Sequence, residues 1–439
     1  MESHSRTFAR DTLWEHTSPP GPKLGVLTEN IKSDVVVIGG GVAGLSTALH
    51  LAEAGCSVTV IEAAEIGGGA TGKSGGLMAP DFIRHGPDDI EKDLGEEWGQ
   101  RLIQMVGRST FQCFDLIEKY GISCDHTRDG FWTPAHNSAV ADRLEDRVHQ
   151  WKVRGFNVEY KSRVDTCEKL GSTKYCGAMY FADGGAVNPL ALARGLADVA
   201  LAKGAKIYAQ SPVTQIKKQP GGWRVITKHG VINANRIVLA ANGGNAALHH
   251  ALKKTVLPLD VYEYASAPLS DLTRSKILPK GGSYTDKQPY MFTARYDASG
   301  RLIAALPDFF IKRSERDLIQ EAKERLQDHF PILEGVSIEY IWKGRAWLNS
   351  SLLPKVYGLE EGAYAIQACN GRGLANNIVL GKELAAALTS GDMNELSVRV
   401  ETARGIRGFF VAKYTPSFLM ALAYMRHKLL TLRQRRKDK

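Results

Sequence analysis

The chain has 439 residues, of which 44% are hydrophobic and 23% are charged. This length and composition exclude a disordered or fibrous protein and predict a globular one that divides into two domains. The net charge is +9, but residues 426–439 alone supply +6 (seven Lys or Arg minus Asp438), so the rest of the surface gives no reason to expect nucleic-acid binding.

Residues 1–32 are predicted to form a polar arm that lies on the surface. Pro19-Pro20-Gly21-Pro22 stops any helix there, and acidic residues near the start argue against a secretory signal. The chain contains no run of about 18 apolar residues, so no membrane span is expected. The six cysteines show no CxxC pair and no metal-ligand spacing, which predicts a cytoplasmic protein without a bound metal.

Residues 33–63 have the pattern of a dinucleotide-binding unit. An apolar strand is followed by three glycines spaced GxGxxG, which permit a sharp turn, the close approach of a pyrophosphate and tight helix packing. The second strand ends at an acid, Glu62, which can accept hydrogen bonds from the hydroxyls of an unphosphorylated ribose. The predicted contacts in this unit are Gly39, Gly41, Val42, Ala43, Gly44, Glu62 and Ala63.

The rest of the chain predicts an α/β protein with two interleaved domains. Two strand–glycine–helix units lie at opposite ends, with alternating, turn-rich sequence between them. We therefore expect a Rossmann-like dinucleotide domain, of the glutathione-reductase-like type, combined with an antiparallel substrate domain. The expected segments are a 1–32 arm; dinucleotide-binding parts at 33–87, 188–250 and 343–395; a mixed helical and substrate region at 88–187; an antiparallel substrate sheet at 251–342; and a basic amphipathic helix at 396–439.

Two features favour FAD over NAD as the dinucleotide. The second strand runs into GGGATGKSGG, an irregular loop that could cross the middle of a long cofactor, where a nicotinamide enzyme would continue with regular βαβ units. RIVLAANGG and the late CNGRG turn also supply more glycine turns than a nicotinamide site needs.

The sequence resembles the flavin amine and amino-acid oxidoreductase family that includes D-amino acid oxidase, glycine oxidase, sarcosine oxidase and γ-glutamylputrescine oxidoreductase. The resemblance covers roughly residues 10–395. It rests on DVVVIGGGVAGLSTALHLAEAG with VIEA, then ATGKSGG, RIVLAANGG, YDASGRLIAA and GAYAIQACNGRGLANNIVLGKELAAAL, in that order.

The resemblance implies further contacts to FAD. The loop formed by Thr71, Lys73, Ser74, Gly75 and Gly76 is expected to run past the pyrophosphate and the dimethylbenzene side of the flavin. Val213 and Ala241 are expected beside the adenosine. The turn that contains Gly371, Arg372, Gly373, Leu374 and Ala375 is expected at the pyrimidine end of the flavin.

The sequence departs from the family pattern in two places. Lys73-Ser74 replaces the commoner Arg-Asn of the loop, which leaves the substrate branch open. Arg372 replaces the usual His of the last turn and would place a permanent cation near the flavin. Because residues 71–74 contain neither His nor Cys, we expect FAD to be bound non-covalently.

Three residues are candidates for substrate contacts. Arg345 lies between Trp342 and Trp347 and resembles residues that family members place above the flavin; the alternative is a surface ion pair stacked on Trp. Tyr262 and Tyr264 alternate on one strand and could face one pocket; a packed sheet face is equally compatible with that spacing.

The C-terminal segment carries a helical apolar stripe with a basic end. Phe418, Leu422, Met425, Leu429 and Leu432 recur at helical spacing, and cations crowd the residues that follow. The stripe is interpreted either as a helix docked on the body or as a contact for an anionic membrane surface or an acidic partner.

The predicted function is oxidation of the C–N bond of a small amine or amino acid to an imine, by hydride transfer to flavin N5. Two alternatives remain open from the residues alone. One is an FAD monooxygenase, which shares the opening motif. The other is a flavin-binding assembly protein without turnover.

Overall fold

The computed structural model describes residues 11–367 and 370–437, with side chains as far as residue 430. The predicted turn residue Cys369 and the side chains of the last basic residues lie outside this part. The strands are β1 Asn30–Ile38, β2 Val58–Ile61, β3 Leu77–Met78, β4 Phe131–Ala135, β5 Val158–Lys161, β6 Gly177–Phe181, β7 Gly185–Ala186, β8 Lys206–Tyr208, β9 Gln215–Gln219, β10 Gly222–Ile226, β11 Val231–Leu239, β12 Leu257–Pro268, β13 Ser283–Thr285, β14 Thr293–Tyr296, β15 Arg301–Pro307, β16 Ile338–Leu348, β17 Lys355–Glu360, β18 Ala363–Gln367 and β19 Val400–Thr402.

Helices cover both ends and the middle of the chain. They are α1 Leu13–Thr17, α2 Val42–Glu53, α3 Pro87–Leu94, α4 Glu96–Tyr120, α5 Ser138–Lys152, α6 Arg163–Leu170, α7 Pro189–Ala202, α8 Asn245–Leu248, α9 Asp271–Arg274, α10 Glu315–His329, α11 Gly373–Ser390, α12 Phe409–Ala412 and α13 Thr415–Lys437. Residues 71–73 form a short 3-10 turn.

A nine-stranded sheet forms the dinucleotide-binding half. Its order is β19-β17-β18-β11-β1-β2-β8, and β10 joins β9 to β11. The five strands from β18 to β8 in this order are parallel. α2, α7 and α11 pack against it with a core of Leu and Ala. The Rossmann-like arrangement predicted from the two ends of the chain is confirmed.

An eight-stranded sheet forms the second half, in the order β16-β12-β15-β14-β13-β4-β6-β5. Its described pairings are antiparallel except β13 with β4. One face packs on α10, with Tyr264 and Leu326 in the shared core. The other face packs on α1 and α7 through Trp14, Leu190 and Trp342. This second face is directed toward the dinucleotide-binding half.

Two expectations about segment boundaries need correction. Residues 11–32 are not simply a surface arm, because α1 buries Leu13 and Trp14 between the two halves. The expected boundary between residues 342 and 343 falls inside β16, whose pairing with β12 continues to Leu348. We therefore propose that the eight-stranded half ends at Leu348.

Candidate cofactor site

The glycine turn between β1 and α2 lies where the parallel strands end, the edge at which open α/β sheets bind ligands. Gly39 has a φ of +122°, and a Cβ there would lie 2.8 Å from the carbonyl carbon of Ala240. A Cβ on Gly44 would lie 2.0 Å from the carbonyl oxygen of Gly39. A larger side chain at either position would therefore collide with the backbone and push α2 away from the turn.

The first turn of α2 is arranged as an anion site. Gly41 is the N-cap residue without a side chain, so the approach to the helix end stays open. Val42 and Ala43 open the helix, and the Val42 N–H points to the Thr71 hydroxyl at 3.4 Å. Free N–H groups and the positive end of the helix dipole favour a pyrophosphate here.

Glu62 follows β2 immediately, at the position expected for ribose recognition. Its carboxylate oxygens accept hydrogen bonds from the N–H groups of Gly40, at 2.6 Å, and Ala64, at 2.9 Å. Because each oxygen has a further lone pair, Glu62 can hold the turn and still accept a ribose hydroxyl. The neighbouring Ala63 is exposed.

The two segments expected beside adenosine reach the same edge. The N–H of Ser211, two residues before the half-buried Val213, donates to the Glu62 carbonyl at 2.9 Å. Ala241 follows β11, and its N–H donates to Asn245 Oδ1 at 2.8 Å. Glu62, Val213 and Ala241 therefore lie on segments that leave the sheet at one edge.

The loop expected to pass the flavin is held by three side chains from other elements. Three successive carbonyls each accept one hydrogen bond: Lys73 O from Trp342 Nε1 at 3.0 Å, Ser74 O from Trp14 Nε1 at 2.9 Å, and Gly75 O from Arg295 Nε at 2.6 Å. All three donors belong to the eight-stranded half or to α1. The carbonyls are therefore fixed away from the nucleotide edge.

Gly75 and Gly76 allow this close contact between the halves. A Cβ on Gly76, whose φ is +75°, would lie 2.1 Å from the Val187 carbonyl oxygen and 2.6 Å from Arg295 Nη2. A Cβ on Gly75 would lie 3.0 Å from a carboxylate oxygen of Glu263. Glycine is therefore required at position 76, whereas a Cβ at position 75 would make the Glu263 carboxylate shift by a few tenths of an ångström.

Glu263 and Arg295 lie close enough under the loop to influence each other's pKa. Burial raises the pKa of Glu263 to about 8, although the charge of Arg295 acts in the opposite direction. Burial likewise lowers the pKa of Arg295 to about 10. Arg295 also donates to the Val187 carbonyl at 2.9 Å and lies 4.8 Å from the centre of the Trp14 ring. Arg295 thus joins α1, the loop and the eight-stranded sheet.

The late glycine turn carries a buried cation. Arg372 is the N-cap residue of α11 and is followed by Gly373, Leu374 and Ala375 in its first turn. Its Nη1 donates to the carbonyls of Asp81, at 3.3 Å, and Phe82, at 3.4 Å, and lies 3.4 Å from the Asp81 carboxylate. Burial lowers the pKa of Arg372, while Asp81 opposes this shift.

Two further cations surround Asp81. Arg147 Nη2 contacts the Asp81 carboxylate at 2.6 Å, and Lys287 Nζ donates to the Ile83 carbonyl at 3.1 Å. Burial, together with the charges of Arg147 and Arg372, lowers the pKa of Lys287 to about 7. Three basic side chains therefore contact the carboxylate and carbonyls of residues 81–83.

Buried polar atoms at this edge indicate a polar ligand. Both side-chain amide atoms of Gln367 and the Oδ1 atoms of Asn242 and Asn376 have no hydrogen-bond partner among the described residues. Gln367 ends β18, Asn242 follows β11, and Asn376 lies in the first turn of α11. Because buried polar groups are normally paired, these atoms and the open glycine turn fit an extended polar cofactor such as FAD.

The three predicted substrate residues are not brought to the loop. Arg345 is exposed, pairs with Asp260 at 2.6 Å and stacks on Trp347, which matches the alternative of a surface ion pair. Tyr264 is fully buried against α10. Since side chains alternate along β12 and Glu263 faces the loop, Tyr262 and Tyr264 face the other side of the sheet. We therefore do not retain them as substrate contacts.

Sequence analysis missed Trp14, Glu263, Arg295 and Lys287. Glu263 and Arg295 had a usable signal, because each is a charged residue within an otherwise apolar strand, in VYEYA and FTARY. Trp14 had none beyond being a large apolar residue in a polar arm. Among the described residues, no group of three or more His, Cys, Asp or Glu is arranged to hold a metal ion.

These features define a flavoprotein of the dinucleotide-binding class, and comparison with known proteins identifies the family. The family model described as "DAO: FAD dependent oxidoreductase" matches residues 34–387. The chain belongs to this family. It is an enzyme that uses FAD, as the resemblance predicted.

Curated relatives and solved structures agree with this assignment. The chain is 33% identical to gamma-glutamylputrescine oxidoreductase of Escherichia coli over 83% of this chain and 85% of the relative. It is 30% identical to the probable oxidoreductase OrdL of Haemophilus influenzae over 85% of this chain and 86% of that relative. L-proline dehydrogenase from P. horikoshii has the same fold, with a TM-score of 0.71 and 20% identity over 83% of this chain and 95% of that structure. Glycine oxidase from Geobacillus kaustophilus superposes with a TM-score of 0.67 and 22% identity over 86% of this chain and 98% of that structure.

Proposed function

We propose that the enzyme oxidises the C–N bond of a small amine or amino acid to an imine, which water then hydrolyses. The observation that carries this proposal is the likeness to gamma-glutamylputrescine oxidoreductase along most of both chains. Glycine oxidase and dimethylglycine dehydrogenase, two further relatives, are also named for substrates that contain an amine nitrogen.

FAD, when bound, supplies the acceptor for a hydride, which carries both electrons of the oxidation. The reacting carbon loses hydrogen with its electron pair, and the nitrogen lone pair closes the C=N bond. The amine must therefore react in its neutral form. Lys287 can exchange a proton at Nζ near neutral pH, which the permanently charged Arg372 cannot.

The chain's own residues would fix the cofactor before substrate arrives. The α2 turn and Glu62 would hold the dinucleotide at the sheet edge, and the Lys73–Gly75 carbonyls would stay turned toward the eight-stranded half. Arg372 and Arg147 would keep positive charge beside the α11 turn, where the reduced flavin would carry negative charge. Orientation and charge are then set without movement of the loop.

We propose that FAD is held non-covalently, because residues 71–74 offer neither His nor Cys. Acid precipitation of the purified protein should release the yellow colour into the supernatant. Colour that stays with the pellet after washing would contradict this attachment.

The substrate class is tested by anaerobic mixing of the holoenzyme with single amines and amino acids. Active compounds should bleach the flavin and yield the matching aldehyde or keto acid. Gly44→Val provides the control, since its side chain would collide with the Gly39 carbonyl and prevent FAD binding. If NADH bleaches the flavin while no amine or amino acid does, the proposed reaction is wrong.

A further inference from the structure

The C-terminal helix α13 has apolar residues on two opposite faces. One face docks on the body through Met420, Ala421 and Tyr424, and the Tyr424 ring packs at a tilt against Phe309 with 4.8 Å between ring centres. Lys428 on the docked side pairs with Glu324 at 3.0 Å. This contact holds the helix against the eight-stranded half.

The other face carries the stripe seen in the sequence, and its described members are exposed to solvent. The side chain of Leu432 lies outside the described part of the chain. We define the outer stripe as Phe418, Leu422, Met425 and Leu429, which are between 44% and 60% exposed. These positions step by four and three residues, so they form one line along the helix. The helix therefore docks on the body, as one of the two interpretations expected, but it does so through a different face from this stripe.

Exposed apolar side chains continue beyond the stripe. Phe410 and Val411 of α12 and Tyr414 just after it are each more than 60% exposed. Lys254 lies over the Phe410 ring and Lys413 over the Tyr414 ring, at 4.8 and 4.9 Å. Monomeric soluble proteins rarely expose contiguous apolar side chains on this scale, so such surfaces mark contact sites.

The charge of the segment indicates what covers this surface. Residues 404–439 contain ten Lys or Arg and one acid, Asp438, so they carry +9. That is the whole net charge of the protein, and residues 1–403 are neutral overall with 46 basic and 46 acidic residues. Arg426 is exposed beside the outer stripe.

We propose that the outer stripe of α13 is a docking surface for an anionic lipid membrane. An apolar helix face bordered by Lys and Arg lies in the membrane interface and is attracted by anionic headgroups. A second copy of this chain is a poor occupant, because it would bring another +9 segment to the same place. Among the described residues, no helix is long and apolar enough to span a bilayer, so the contact is with the membrane surface.

The test is co-sedimentation of the FAD-loaded, full-length protein with lipid vesicles. Wild type should bind vesicles of phosphatidylglycerol and phosphatidylcholine, fail to bind phosphatidylcholine alone, and dissociate at high salt. Leu422→Glu/Met425→Glu should weaken binding at least ~10-fold, because it removes two apolar contacts and adds repulsion. Arg426→Glu should weaken it by roughly fivefold or more.

Val153→Glu/Val164→Glu is the matched control. It makes the same change in charge at two other exposed apolar residues, distant in sequence from α13, and should bind like wild type. The flavin spectrum and melting temperature of every variant verify that folding is intact. The proposal is overturned if wild type ignores anionic vesicles, or if the α13 double variant binds as well as the control. A dimer that only the α13 double variant dissociates, without vesicle binding, would instead assign the stripe to a subunit interface.

Discussion

Three buried tryptophans allow the role of the flavin loop to be measured against a matched control. Trp14 and Trp342 each donate their indole N–H to a loop carbonyl, Ser74 O and Lys73 O. Trp223, on β10 of the other sheet, makes the same type of bond at 3.1 Å to the carbonyl of Glu361, which lies in the turn between β17 and β18. All three are at most 3% exposed.

We expect Trp14→Phe to weaken both folding and FAD binding. The phenyl ring keeps most of the packing with Trp342, whose ring centre lies 5.8 Å away, but Ser74 O loses its donor. Leaving a buried carbonyl unpaired costs ~1–3 kcal/mol of unfolding free energy. If FAD binding requires the Ser74 carbonyl to stay in this position, part of the same energetic cost also weakens FAD binding. A loss of about 1.4 kcal/mol in binding free energy would raise the FAD dissociation constant tenfold.

The assay combines chemical denaturation with titration of the apoprotein by FAD. Trp14→Phe, Trp342→Phe and Trp223→Phe should all lose stability by similar amounts. Only the first two should raise the dissociation constant and shift the visible spectrum of the bound flavin. Equal FAD affinity in all three variants would refute the idea that the carbonyls of this loop position the cofactor.

Other substitutions test single charges around the site. Glu62→Gln should weaken FAD binding by roughly 1.5–3 kcal/mol by titration, because charge-assisted bonds are lost; unchanged affinity would remove Glu62 from the site. Arg372→Met should lower the flavin midpoint potential by a few tens of millivolts in a redox titration, because ~1.4 kcal/mol of lost charge interaction corresponds to ~30 mV for a two-electron couple. An unchanged potential with FAD bound would mean that only the backbone of this turn stabilises the reduced flavin. The pKa of Glu263 is about 8 in the folded protein and near 4.5 in the unfolded chain, so the free energy of unfolding should fall as the pH rises from 4.5 to 8. Glu263→Gln should remove this slope, which is up to ~1.4 kcal/mol per pH unit, from denaturation curves measured across that range. A variant that keeps the slope would show that another group titrates.

The parts of the site that sequence predicted are those whose requirements are local. The turn at Gly39 to Gly44 and the acid at Glu62 lie within one strand–helix–strand unit, so spacing alone specifies them. The donors to the loop are separated from it by 60, 220 and 269 residues. Their contacts depend on the register of β14 and β16 and on the packing of α1, which no local pattern encodes.

The alternatives that the sequence left open have the same physical origin. Alternation along β12 predicted that Tyr262 and Tyr264 share a face, and they do, but it could not show which face meets the loop. Helical spacing likewise predicted the stripe of α13 without showing which side of the helix docks. Periodicity defines a face, while tertiary packing decides what the face touches.

Because of the cations near Asp81, we expect this site to be less stable without its cofactor. Arg147 and Arg372 both contact the Asp81 carboxylate, and Lys287 donates to the nearby Ile83 carbonyl. Burial, together with the charges of the two arginines, lowers the pKa of Lys287 to about 7. Buried charges that exceed their partners cost stability, so they are retained where a bound group offsets them. The flavin of FAD would gain negative charge on reduction beside the α11 turn, which would give these cations a counter-charge. The same excess that destabilises the empty protein would therefore strengthen cofactor binding and favour the reduced state.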